Sequence, residues 1–360
     1  MPKLARVLIM AGGTGGHIFP GLAIAKKMRE EGIDVNWLGT QHGPESQWVA
    51  DAGIPIYFIS ISGFRGKGLK DQVLAPWYIL VALLQSLWTI RKLKPDVVIG
   101  MGGFVSGPGA IASWLLGVKL VIHEQNAKPG STNKWLAKIA NRVLEAFPNT
   151  FTHRRNVYTV GNPIRAEILA LPAPDKRFNH SEQIKHLLVL GGSLGAQAIN
   201  LSLPKALAKL PEAMRPAVWH QTGEKHLADT RKAYEAAGVK AEIVPFIVEM
   251  DKAYSWADVV LCRAGASTIA ELCAVGLGAI LVPFPYAIDD HQTANAQFMA
   301  AQHAAILAQQ ATLTIDSLAE MLEKLGGSGE QCSAMATAAY ALRQVEATEK
   351  IITICKEIYQ

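Results

Sequence analysis

Three glycine-rich segments each follow a short apolar run that is typical of a buried β-strand. They read Gly12-Gly-Thr-Gly-Gly-His17, Gly102-Gly-Phe-Val-Ser-Gly-Pro108 and Gly191-Gly-Ser-Leu-Gly-Ala196. Glycine lets backbone N–H groups approach a bound phosphate, and a helix that begins in the loop adds a favourable dipole. Glycines also make ordinary strand–helix turns. Three such loops, two in the first half of the chain and one in the second, favour contact with a phosphate or a sugar.

Common nucleotide-binding motifs are missing from the sequence. No loop spells GxGxxG, the chain contains no GxxxxGK[ST], and it has no Asp-x-Asp pair to hold a metal ion against a diphosphate. Dinucleotide-dependent oxidoreductases and P-loop NTPases are therefore excluded. The pairs His180/His186 and His220/His226 have zinc-like spacing without a nearby cysteine pair, so we expect no metal site and no cofactor.

One competing motif predicts different chemistry. The segment around Ser193 satisfies GxSxG after a strand and before a helix, which is the setting of the serine nucleophile in α/β-hydrolases. Asp258 or Asp289 and then His291 or His303 follow in the order of that triad. A hydrolase has a single sheet and no use for the matched loops. It stays an alternative, together with a nucleotide-sugar binding protein without catalysis.

Further polar residues lie where strands are predicted to end or helices to begin. His123-Glu-Gln-Asn126 ends a strand, at the edge where open α/β sheets build their sites. His17 lies at the mouth of the first glycine loop, open to a ligand. Thr268-Ile-Ala-Glu271 has the spacing of a capping box, so Glu271 could cap a helix or bind a ribose. Asp289-Asp-His-Gln292 opens another helix, where simple N-terminal capping explains the pattern.

The elements that must position these residues alternate between strands and helices. Short apolar runs separated by helix-length patterns predict an α/β protein with parallel sheets. An internal echo predicts two similar halves, because Arg6-VLIMAGG resembles His186-LLVLGG and Asp96-VVIGMGG resembles Asp258-VVLCRAG. Two halves that face each other would place their glycine turns beside a shared cleft. The Gly- and Pro-containing segment 161–163 predicts the boundary, and residues 171–175 are a second candidate.

Composition agrees with two domains. The chain has 360 residues, of which 50% are hydrophobic and 18% charged, so it has the material for two buried cores. A net charge of +5 is too small to predict a nucleic-acid-binding protein. The four cysteines form no CxxC pair, and the first ten residues lack the length of a signal peptide, which together favour a reduced cytosolic compartment.

One apolar stretch bears on membrane binding. Residues 74–90 read LAPWYILVALLQSLWTI, which is shorter than a bilayer-spanning helix and is interrupted by polar residues. Basic residues beside an apolar, Trp-containing helix suit a protein that lies on an anionic membrane surface. An ordinary buried core helix with solvated ends explains the same pattern, and the residues alone leave both open. The flanking basic residues are Lys67, Lys70, Arg91, Lys92 and Lys94.

The combined motifs resemble those of one known family. Eight segments are similar, in order and spacing, to the MurG family of bacterial N-acetylglucosaminyltransferases: GGTGGH, GMGGFVSGPG, HEQN, TNKWLAKIA, VGNPIR, GGSLGA, CRAGASTIAEL and DHQxxNA. The resemblance implies an α/β GT-B fold, with two Rossmann-like parallel-sheet domains facing a cleft and a C-terminal helix that returns to the first domain. The implied first domain comprises residues 1–162, with residues 341–360 packing back on it, and binds the acceptor and the membrane. The implied second domain comprises residues 163–340 and binds UDP-GlcNAc.

The resemblance also implies a reaction and its setting. The family transfers GlcNAc, with inversion, from UDP-GlcNAc to the 4-hydroxyl of MurNAc in undecaprenyl-pyrophosphoryl-MurNAc-pentapeptide (lipid I). The product is lipid II, a precursor of peptidoglycan. The expected protein is a peripheral enzyme at the cytoplasmic face of the inner membrane, with the 67–94 region on anionic lipid. The expected partners are UDP-GlcNAc, lipid I and proteins of cell-wall synthesis and cell division, with no nucleic acid.

In the first domain the resemblance implies donor contacts, and the chemistry of the transfer calls for a catalytic base. The residues near the donor sugar and diphosphate are Thr14, Gly15, Gly16 and Asn126. The transfer needs no metal ion, because loop N–H groups and a helix N-terminus can stabilise a UDP leaving group. It does need a base near the acceptor hydroxyl, for which His17 is the first candidate and Glu124 the second.

In the second domain the resemblance implies most of the donor site. Arg165 and Ser193 match donor-site positions, Ile247 matches the backbone anchor of uracil, and Gln292 matches the residue that reads the sugar hydroxyls. Glu271 matches the residue that holds the ribose hydroxyls. The nucleotide-binding turn and helix are matched by Ala266, Ser267, Thr268, Ile269, Ala270 and Glu271.

Overall fold

The chain folds as two units. The first unit comprises Met1–Arg165 and Val345–Gln360, and the second comprises Ala166–Gln344. The backbone therefore leaves the first unit once and returns to it for its C-terminal segment. The structure is a computed structural model that describes residues 3–62, 69–152, 156–177, 184–192 and 194–360.

The first unit contains a parallel sheet of seven strands. They are β1 (Arg6–Met10), β2 (Asp34–Gly39), β3 (Ile56–Phe58), β4 (Val97–Gly100), β5 (Lys119–Glu124), β6 (Arg142–Glu145) and β7 (Val157–Thr159). Their order in the sheet is β3-β2-β1-β4-β5-β6-β7. This is the order of doubly wound nucleotide-binding folds, extended by one strand. The carboxyl ends of β1, β4 and β5 therefore lie side by side.

The second unit repeats the arrangement with six parallel strands. They are β8 (His186–Leu190), β9 (Ala217–Gln221), β10 (Glu242–Val244), β11 (Val259–Cys262), β12 (Gly278–Leu281) and β13 (Ala305–Leu307). Their order is β10-β9-β8-β11-β12-β13. Strand β8 thus takes the place of β1, and β11 takes the place of β4, as the repeated sequence segments predict.

Helices connect most of the consecutive strands in both units; β6 is followed by β7 without a helix among the described residues. The first unit contains α1 (Gly15–Glu30), α2 (Glu45–Asp51), α3 (Leu69–Leu93), α4 (Gly103–Leu115) and α5 (Ser131–Leu136). The second contains α6 (Ala166–Leu169), α7 (Gln197–Lys209), α8 (Leu227–Ala237), α9 (Met250–Trp256), α10 (Ala266–Val275), α11 (His291–Ala300), α12 (Ile315–Gly326) and α13 (Gly329–Ala341). The last helix, α14 (Ala347–Tyr359), belongs to the first unit.

Alternate residues of the central strands enter two apolar cores, one on each face of the sheet. In β1, Val7 and Ile9 belong to one buried cluster, whereas Leu8 and Met10 belong to the other. All four side chains are fully buried. Burial on both faces explains why these strands are continuous apolar runs in the sequence.

Helix α14 is held on the first unit by its apolar face. Ile351 and Cys355 are buried in the same cluster as one face of β1, and each fully buried aliphatic side chain contributes about 1.5–3 kcal/mol. Lys356 Nζ also pairs with Glu31 Oε2 of the first unit at 2.6 Å. The predicted return of the C-terminal helix to the first unit is confirmed.

An aspartate fastens the amino end of the sheet in each unit. Asp96 Oδ2 accepts hydrogen bonds from the N–H groups of residues 5 and 6, and Asp258 Oδ2 accepts them from residues 185 and 186, at 2.8–2.9 Å. Hydrogen bonds from backbone N–H to a charged carboxylate are among the stronger ones in proteins. The aspartate that begins each repeated segment therefore fixes where the first strand of its sheet starts.

Candidate functional site

The first glycine loop joins β1 to α1 and ends on an uncapped helix. Gly13 has a φ of 94°, in the left-handed region that favours glycine. Thr14 is the N-cap residue, but its side chain makes no capping hydrogen bond, and the first turn of α1, with Gly15 and Gly16, contains no acidic residue. The N-terminal N–H groups and the helix dipole therefore meet no carboxylate from their own first turn, as suits an anionic ligand.

The buried carboxylate of Glu45 holds this loop through a hydrogen bond to its backbone. Glu45 is 0% exposed, and its Oε1 accepts hydrogen bonds from Thr40 N at 2.9 Å and Thr40 Oγ1 at 2.7 Å. Its Oε2 accepts a hydrogen bond from Gly13 N at 3.2 Å. A Cβ on Gly12 would lie 2.7 Å from Glu45 Oε1, so the glycine also makes room for the carboxylate.

We expect Glu45→Gln to lower the free energy of unfolding by about 2–4 kcal/mol, because one of its three buried donors would then face an NH2 group. The urea midpoint, followed by tryptophan fluorescence, measures the loss. Asp51→Asn is the matched control, because Asp51 lies exposed on the same helix. Equal midpoints for the two variants would contradict a supporting role for Glu45.

The second glycine loop lies directly against the first. Gly102 and Gly103 have φ values of 98° and 77°, and a Cβ on Gly103 would lie 2.6 Å from the carbonyl oxygen of Gly12. Only glycine fits so close to another backbone in this conformation. Ser106 Oγ joins the loops, because it lies 2.8 Å from Gly102 O and 3.1 Å from Met10 O.

His17 lies at the junction of these two loops. Its ring is so close to Gly102 that a Cβ there would lie 3.0 Å from His17 Cδ2. On the other side, His17 Nδ1 lies 3.4 Å from Thr14 Oγ1. The side chain is partly exposed at the carboxyl edge of the sheet. An imidazole in such a place can accept a proton from a ligand.

Glu124 ends β5 as a buried carboxylate whose acceptor positions are all used. Its Oε1 accepts hydrogen bonds from Asn126 N at 3.0 Å and Asn126 Nδ2 at 3.1 Å. Its Oε2 accepts hydrogen bonds from Gly130 N at 3.0 Å and Asn133 Nδ2 at 2.9 Å. A carboxylate has about four acceptor positions, and Glu124 is only 2% exposed. It therefore fastens the loop between β5 and α5, including Asn126.

His123 is a fully buried, neutral residue of the same strand. Its Nε2 lies 2.8 Å from Gly161 O, which makes Nε2 the protonated nitrogen, and its Nδ1 accepts a hydrogen bond from Gln125 Nε2 at 3.1 Å. Burial lowers the pKa of His123 to about 4. His123 is therefore uncharged at pH 7 and ties β5 to the segment that leaves the first unit.

The third glycine loop joins β8 to α7 in the second unit. Gly195 has a φ of 76° and packs against the carbonyl oxygen of Thr222. Gln221 Nε2 donates a hydrogen bond to Gly192 O at 3.0 Å. Helix α7 begins without a side-chain cap and without an acidic residue in its first turn. Ser193, which the sequence places in this loop, lies outside the described residues.

A buried chain of hydrogen bonds supports this loop. Tyr234 OH donates to His220 Nδ1 at 2.9 Å, and His220 Nε2 donates to Asn200 Oδ1 at 3.0 Å. Asn200 Nδ2 in turn donates to Thr222 O at 3.0 Å. Burial lowers the pKa of His220 to about 3 and raises that of the Tyr234 hydroxyl. His220 is thus a neutral link between α7 and α8.

Helix α10 begins at Ala266, with Gly265 as its N-cap. Thr268 therefore lies inside the first turn, and the capping-box interpretation of Glu271 is wrong. Glu271 lies further along the helix, partly exposed, where its Oε2 accepts a hydrogen bond from Tyr254 OH at 2.8 Å. The result is an oriented carboxylate on a helix whose first turn contains no acidic residue.

The other matched residues of α10 differ in their surroundings. Ile269 is 1% exposed and Ala266 is 7% exposed, so their side chains belong to the core. Ser267 and Ala270 are partly exposed. Ser267 Oγ is buried and makes no hydrogen bond within the part of the chain that the structure describes. A ligand at this helix would therefore meet backbone N–H groups, the Ser267 region and Glu271.

Gln292 lies in the first turn of α11, close to the start of α10. Its Oε1 accepts a hydrogen bond from Phe284 N at 2.9 Å, which fixes the amide and leaves the NH2 group as its donor. Asn295 Nδ2 donates to Ala264 O at 3.1 Å and holds α11 against the turn before α10. Asp290 is the N-cap of α11 but makes no side-chain capping hydrogen bond, contrary to the expected simple capping.

Two other matched residues lie at the crossing between the units and after the edge strand β10. Arg165 is the last residue of the first unit before the chain crosses, and it is partly buried. Ile247 follows β10 and is 5% exposed, whereas its neighbours Phe246 and Val248 are 53% and 77% exposed. The loop after β10 therefore presents apolar side chains on both sides of Ile247, which suits a flat, partly apolar ring such as a nucleobase.

Within each unit, the matched residues gather at the carboxyl edge of the sheet. In the first unit, the two glycine loops and the segment from Glu124 to Asn126 follow the neighbouring strands β1, β4 and β5. In the second, the third loop, α10 and α11 follow the neighbouring strands β8, β11 and β12. Sequence reasoning missed Glu45 and Asn133, although Asn133 lies in the TNKWLAKIA segment.

The second sheet argues against one version of the hydrolase alternative. Asp258 lies before β11 at the amino edge of the sheet, whereas the GxSxG segment follows β8 at the carboxyl edge. A strand of this length separates the two edges by about 15 Å, so Asp258 cannot orient a histidine at the carboxyl end of β8. Across residues 3–360 apart from the undescribed gaps, no three His, Cys, Asp or Glu side chains group as metal ligands.

Helix α3 presents an apolar face to solvent. Trp77, Leu84 and Trp88 are 61%, 57% and 60% exposed, and their spacing of seven and four residues puts them on one side of the helix. Trp114 on α4 and Trp135 on α5 are 56% and 69% exposed. Helix α4 packs against both α3 and α5. We call these five side chains the apolar surface of the first unit.

The exposure of α3 does not fit an ordinary core helix. Leu74–Leu93 is long and apolar enough to cross a membrane, but only 22% of its most apolar window is buried in the protein. Ala82, Ser86 and Ile90 are buried on the opposite side of the helix. The helix therefore packs on the first unit along one side and leaves its other apolar side uncovered, a pattern that marks interaction sites.

Basic residues border the apolar surface. Lys92 Nζ lies 4.9 Å from the ring centroid of Trp88, and Lys138 Nζ lies 4.0 Å from that of Trp135. Arg91 and Lys94 are exposed at the end of α3. Of the basic residues that precede the helix in the sequence, Lys67 lies outside the described residues, as does the side chain of Lys70.

Comparison with known protein families matches both units of the chain. The glycosyltransferase family 28 N-terminal domain matches residues 7–145, and the glycosyltransferase family 28 C-terminal domain matches residues 186–352. The first match runs from β1 to β6 and includes both glycine loops of the first unit, and the second includes all six strands and the glycine loop of the second unit. The two matches together cover well over half of the chain.

Full-length relatives are similar throughout. Proteins from Marinobacter nauticus and Nitrosococcus oceani are 50% and 51% identical over 352 and 353 residues, which is 98% of this chain and 97% and 98% of theirs. Both carry the name UDP-N-acetylglucosamine–N-acetylmuramyl-(pentapeptide) pyrophosphoryl-undecaprenol N-acetylglucosamine transferase.

The crystal structure of Acinetobacter baumannii MurG is similar in fold. It is 40% identical, has a TM-score of 0.83, and the alignment covers 98% of this chain and 99% of that one. The expected α/β fold class, with two Rossmann-like parallel-sheet units and a C-terminal helix on the first, is confirmed.

Proposed function

This chain belongs to glycosyltransferase family 28, and we propose that it catalyses the inverting transfer of GlcNAc from UDP-GlcNAc to the 4-hydroxyl of MurNAc in lipid I. The products are UDP and lipid II, a peptidoglycan precursor. The observation that carries the proposal is the set of glycine loops at the carboxyl edges of both sheets, in a chain half identical to named transferases over 98% of its length.

The second unit binds the donor in this proposal. The first turn of α10, with Ala266, Ser267 and Thr268, supplies backbone N–H groups, and its N-terminus without a side-chain cap favours the diphosphate. Ile269 N already donates to Gly265 O at 2.9 Å, so Ile269 and Ala270 continue the helix instead of donating to the ligand. Glu271, oriented by Tyr254, accepts hydrogen bonds from the ribose hydroxyls. Ile247 anchors uracil, Gln292 donates to the sugar, and Ser193 contacts the phosphates. Arg165, the last residue of the first unit before the chain crosses, contacts the phosphates as well. No metal ion is needed, because these donors stabilise the charge that develops on UDP.

The first unit binds the acceptor and supplies the base. Thr14, Gly15, Gly16 and Asn126 lie near the donor sugar and diphosphate in this proposal. His17 accepts the proton of the MurNAc 4-hydroxyl as that oxygen attacks the anomeric carbon on the face opposite UDP, which inverts the configuration. Glu124, whose acceptor positions are all occupied, positions the loop of Asn126 instead of accepting that proton.

The first unit also docks on the membrane that holds lipid I. Its apolar surface enters the boundary between lipid headgroups and chains, and the bordering basic residues contact anionic headgroups. The enzyme then acts as a peripheral protein at the cytoplasmic face of the inner membrane. Proteins of cell-wall synthesis and cell division, which handle the same lipid, are its expected neighbours.

Product analysis tests the proposed reaction. Incubation with UDP-GlcNAc and a short-chain lipid I analogue is expected to give UDP and a lipid-linked disaccharide with a β-1,4 linkage, identified by mass spectrometry and NMR. Free GlcNAc without a disaccharide would favour a hydrolase instead, and Ser193→Ala would then abolish the activity. Tight UDP-GlcNAc binding without turnover would favour a binding protein. Either result would contradict the transferase.

A further inference from the structure

Two aromatic side chains stand exposed on the loop after β12, which sequence reasoning did not assign to the site. Phe284 and Tyr286 are 41% and 82% exposed. Their ring centroids lie 5.6 Å apart at an interplanar angle of 72°, an edge-to-face arrangement that aromatic pairs prefer. Together they offer an aromatic surface at the carboxyl edge of the second sheet.

The position of Phe284 is fixed from the core side. The guanidinium carbon of Arg263 lies 5.5 Å from the centroid of the Phe284 ring. Arg263 is itself held, because its NH1 donates to Val282 O at 3.0 Å and Pro283 O at 3.2 Å, and its NH2 donates to Gln310 Oε1 at 2.6 Å. The Phe284 ring therefore rests on a guanidinium that three hydrogen bonds hold, and Tyr286 packs edge-to-face on that ring.

The pair adjoins the residue proposed to read the sugar hydroxyls. Phe284 N donates to Gln292 Oε1 at 2.9 Å, so one backbone position sets both the ring and the amide. Through Asn295 and Ala264, the same helix contacts the turn before α10. The Gln292 amide, which can donate to hydroxyl groups, therefore lies next to the aromatic pair, which can contact an apolar surface.

We propose that Phe284 and Tyr286 form a stacking platform for the GlcNAc ring of the donor, an inference that rests on the proposed function. A pyranose presents a face of C–H groups and a rim of hydroxyls. The aromatic surface takes the C–H face and Gln292 takes the rim, which is the mixture of apolar contact and a few directed polar groups that small-molecule sites use.

The order of the strands favours the sugar over the base as the occupant. Ile247, the proposed uracil anchor, follows β10, and the aromatic pair follows β12. These strands are four positions apart in the order β10-β9-β8-β11-β12, which corresponds to about 19 Å at the spacing of neighbouring strands. A nucleotide-sugar laid along this edge with uracil at one end brings its sugar toward the other.

Calorimetric titrations with UDP-GlcNAc and with UDP test the platform. Tyr286→Ala is expected to weaken UDP-GlcNAc binding about tenfold, the upper range for one aromatic contact, and to leave UDP binding unchanged. Tyr286→Phe is expected to keep the wild-type affinity, because the ring and not the hydroxyl makes the contact. Tyr158→Ala, an exposed tyrosine on β7 of the first unit, is the matched control.

Each other outcome has a distinct meaning. An equal loss of UDP affinity in Tyr286→Ala would overturn the platform, because the contact would then be to the nucleotide. Unchanged UDP-GlcNAc affinity would overturn it as well, and so would a rise in KM for the lipid I analogue alone. Failure of the unaltered protein to bind UDP-GlcNAc would instead contradict the proposed function, so the two failures are distinguishable.

Discussion

His17→Ala is expected to lower kcat for GlcNAc transfer by about 10²–10⁴-fold, the range that a positioned general base contributes. The affinity for UDP-GlcNAc should change little, because the donor contacts proposed above lie mainly on the second unit. A loss confined to kcat identifies an interaction made in the transition state. Steady-state kinetics with a saturating lipid I analogue and titration with UDP-GlcNAc measure the two quantities separately.

A second substitution separates proton transfer from positioning at His17. The ring contacts Gly102 and Thr14, so a smaller side chain could also disturb both loops. His17→Gln keeps a polar side chain of similar reach that cannot accept the proton. If Gln restores most of the activity that Ala loses, His17 is a positioning residue. If UDP-GlcNAc affinity falls as much as kcat, His17 is a donor contact and not the base.

Much of the fold could be predicted from the sequence because the central strands carry a strong signal. Strands β1, β4, β5, β8 and β11 are buried on both faces, so they are continuous apolar runs, and four of them lead into the glycine segments or the polar segment of the site. The halves could be paired because the equivalent strands directly follow Asp96 and Asp258, which accept the same pair of backbone hydrogen bonds in each sheet.

The sequence patterns do not predict strands β6, β7 and β13, which lie toward the sheet edges. They contain only three or four residues, and they lack the repeated Asp-Val-Val segment that marks the equally short β4 and β11. Their pairing partners, and not their own residues, decide that they are strands. Edge strands are also partly solvated, so their composition is less apolar than that of a central strand.

Site prediction failed where long-range contacts decide the role of a residue. Glu45 was missed because its three donors come from a loop and a strand end that only the fold brings together. The capping-box interpretation failed because the helix begins at Ala266, after Gly265, and not at Thr268. The choice of Glu124 as a candidate base also depended on contacts that the sequence does not show. Gly130 and Asn133 donate hydrogen bonds to its carboxylate only once α5 has formed.

A second large effect is expected for the apolar surface of the first unit. The double variant Trp77→Ala/Trp88→Ala is expected to bind vesicles of phosphatidylglycerol and phosphatidylethanolamine at least tenfold more weakly. Burial of an aromatic side chain contributes about 1.5–3 kcal/mol, and each 1.4 kcal/mol is about a factor of ten. Both side chains are about 60% exposed, so their removal should leave the urea midpoint nearly unchanged. Sedimentation with vesicles measures the binding.

Salt and a control variant separate the apolar contribution from the charged one. The pair Arg91→Glu/Lys94→Glu should weaken binding strongly at low salt and little at high salt, because attraction to anionic headgroups is screened within about 10 Å at 0.1 M. The tryptophan variant should lose binding at every salt concentration. Leu201→Ala, an exposed apolar residue on α7 of the second unit, should bind like the unaltered protein. If the tryptophan variant also binds normally, α3 faces another protein and not lipid.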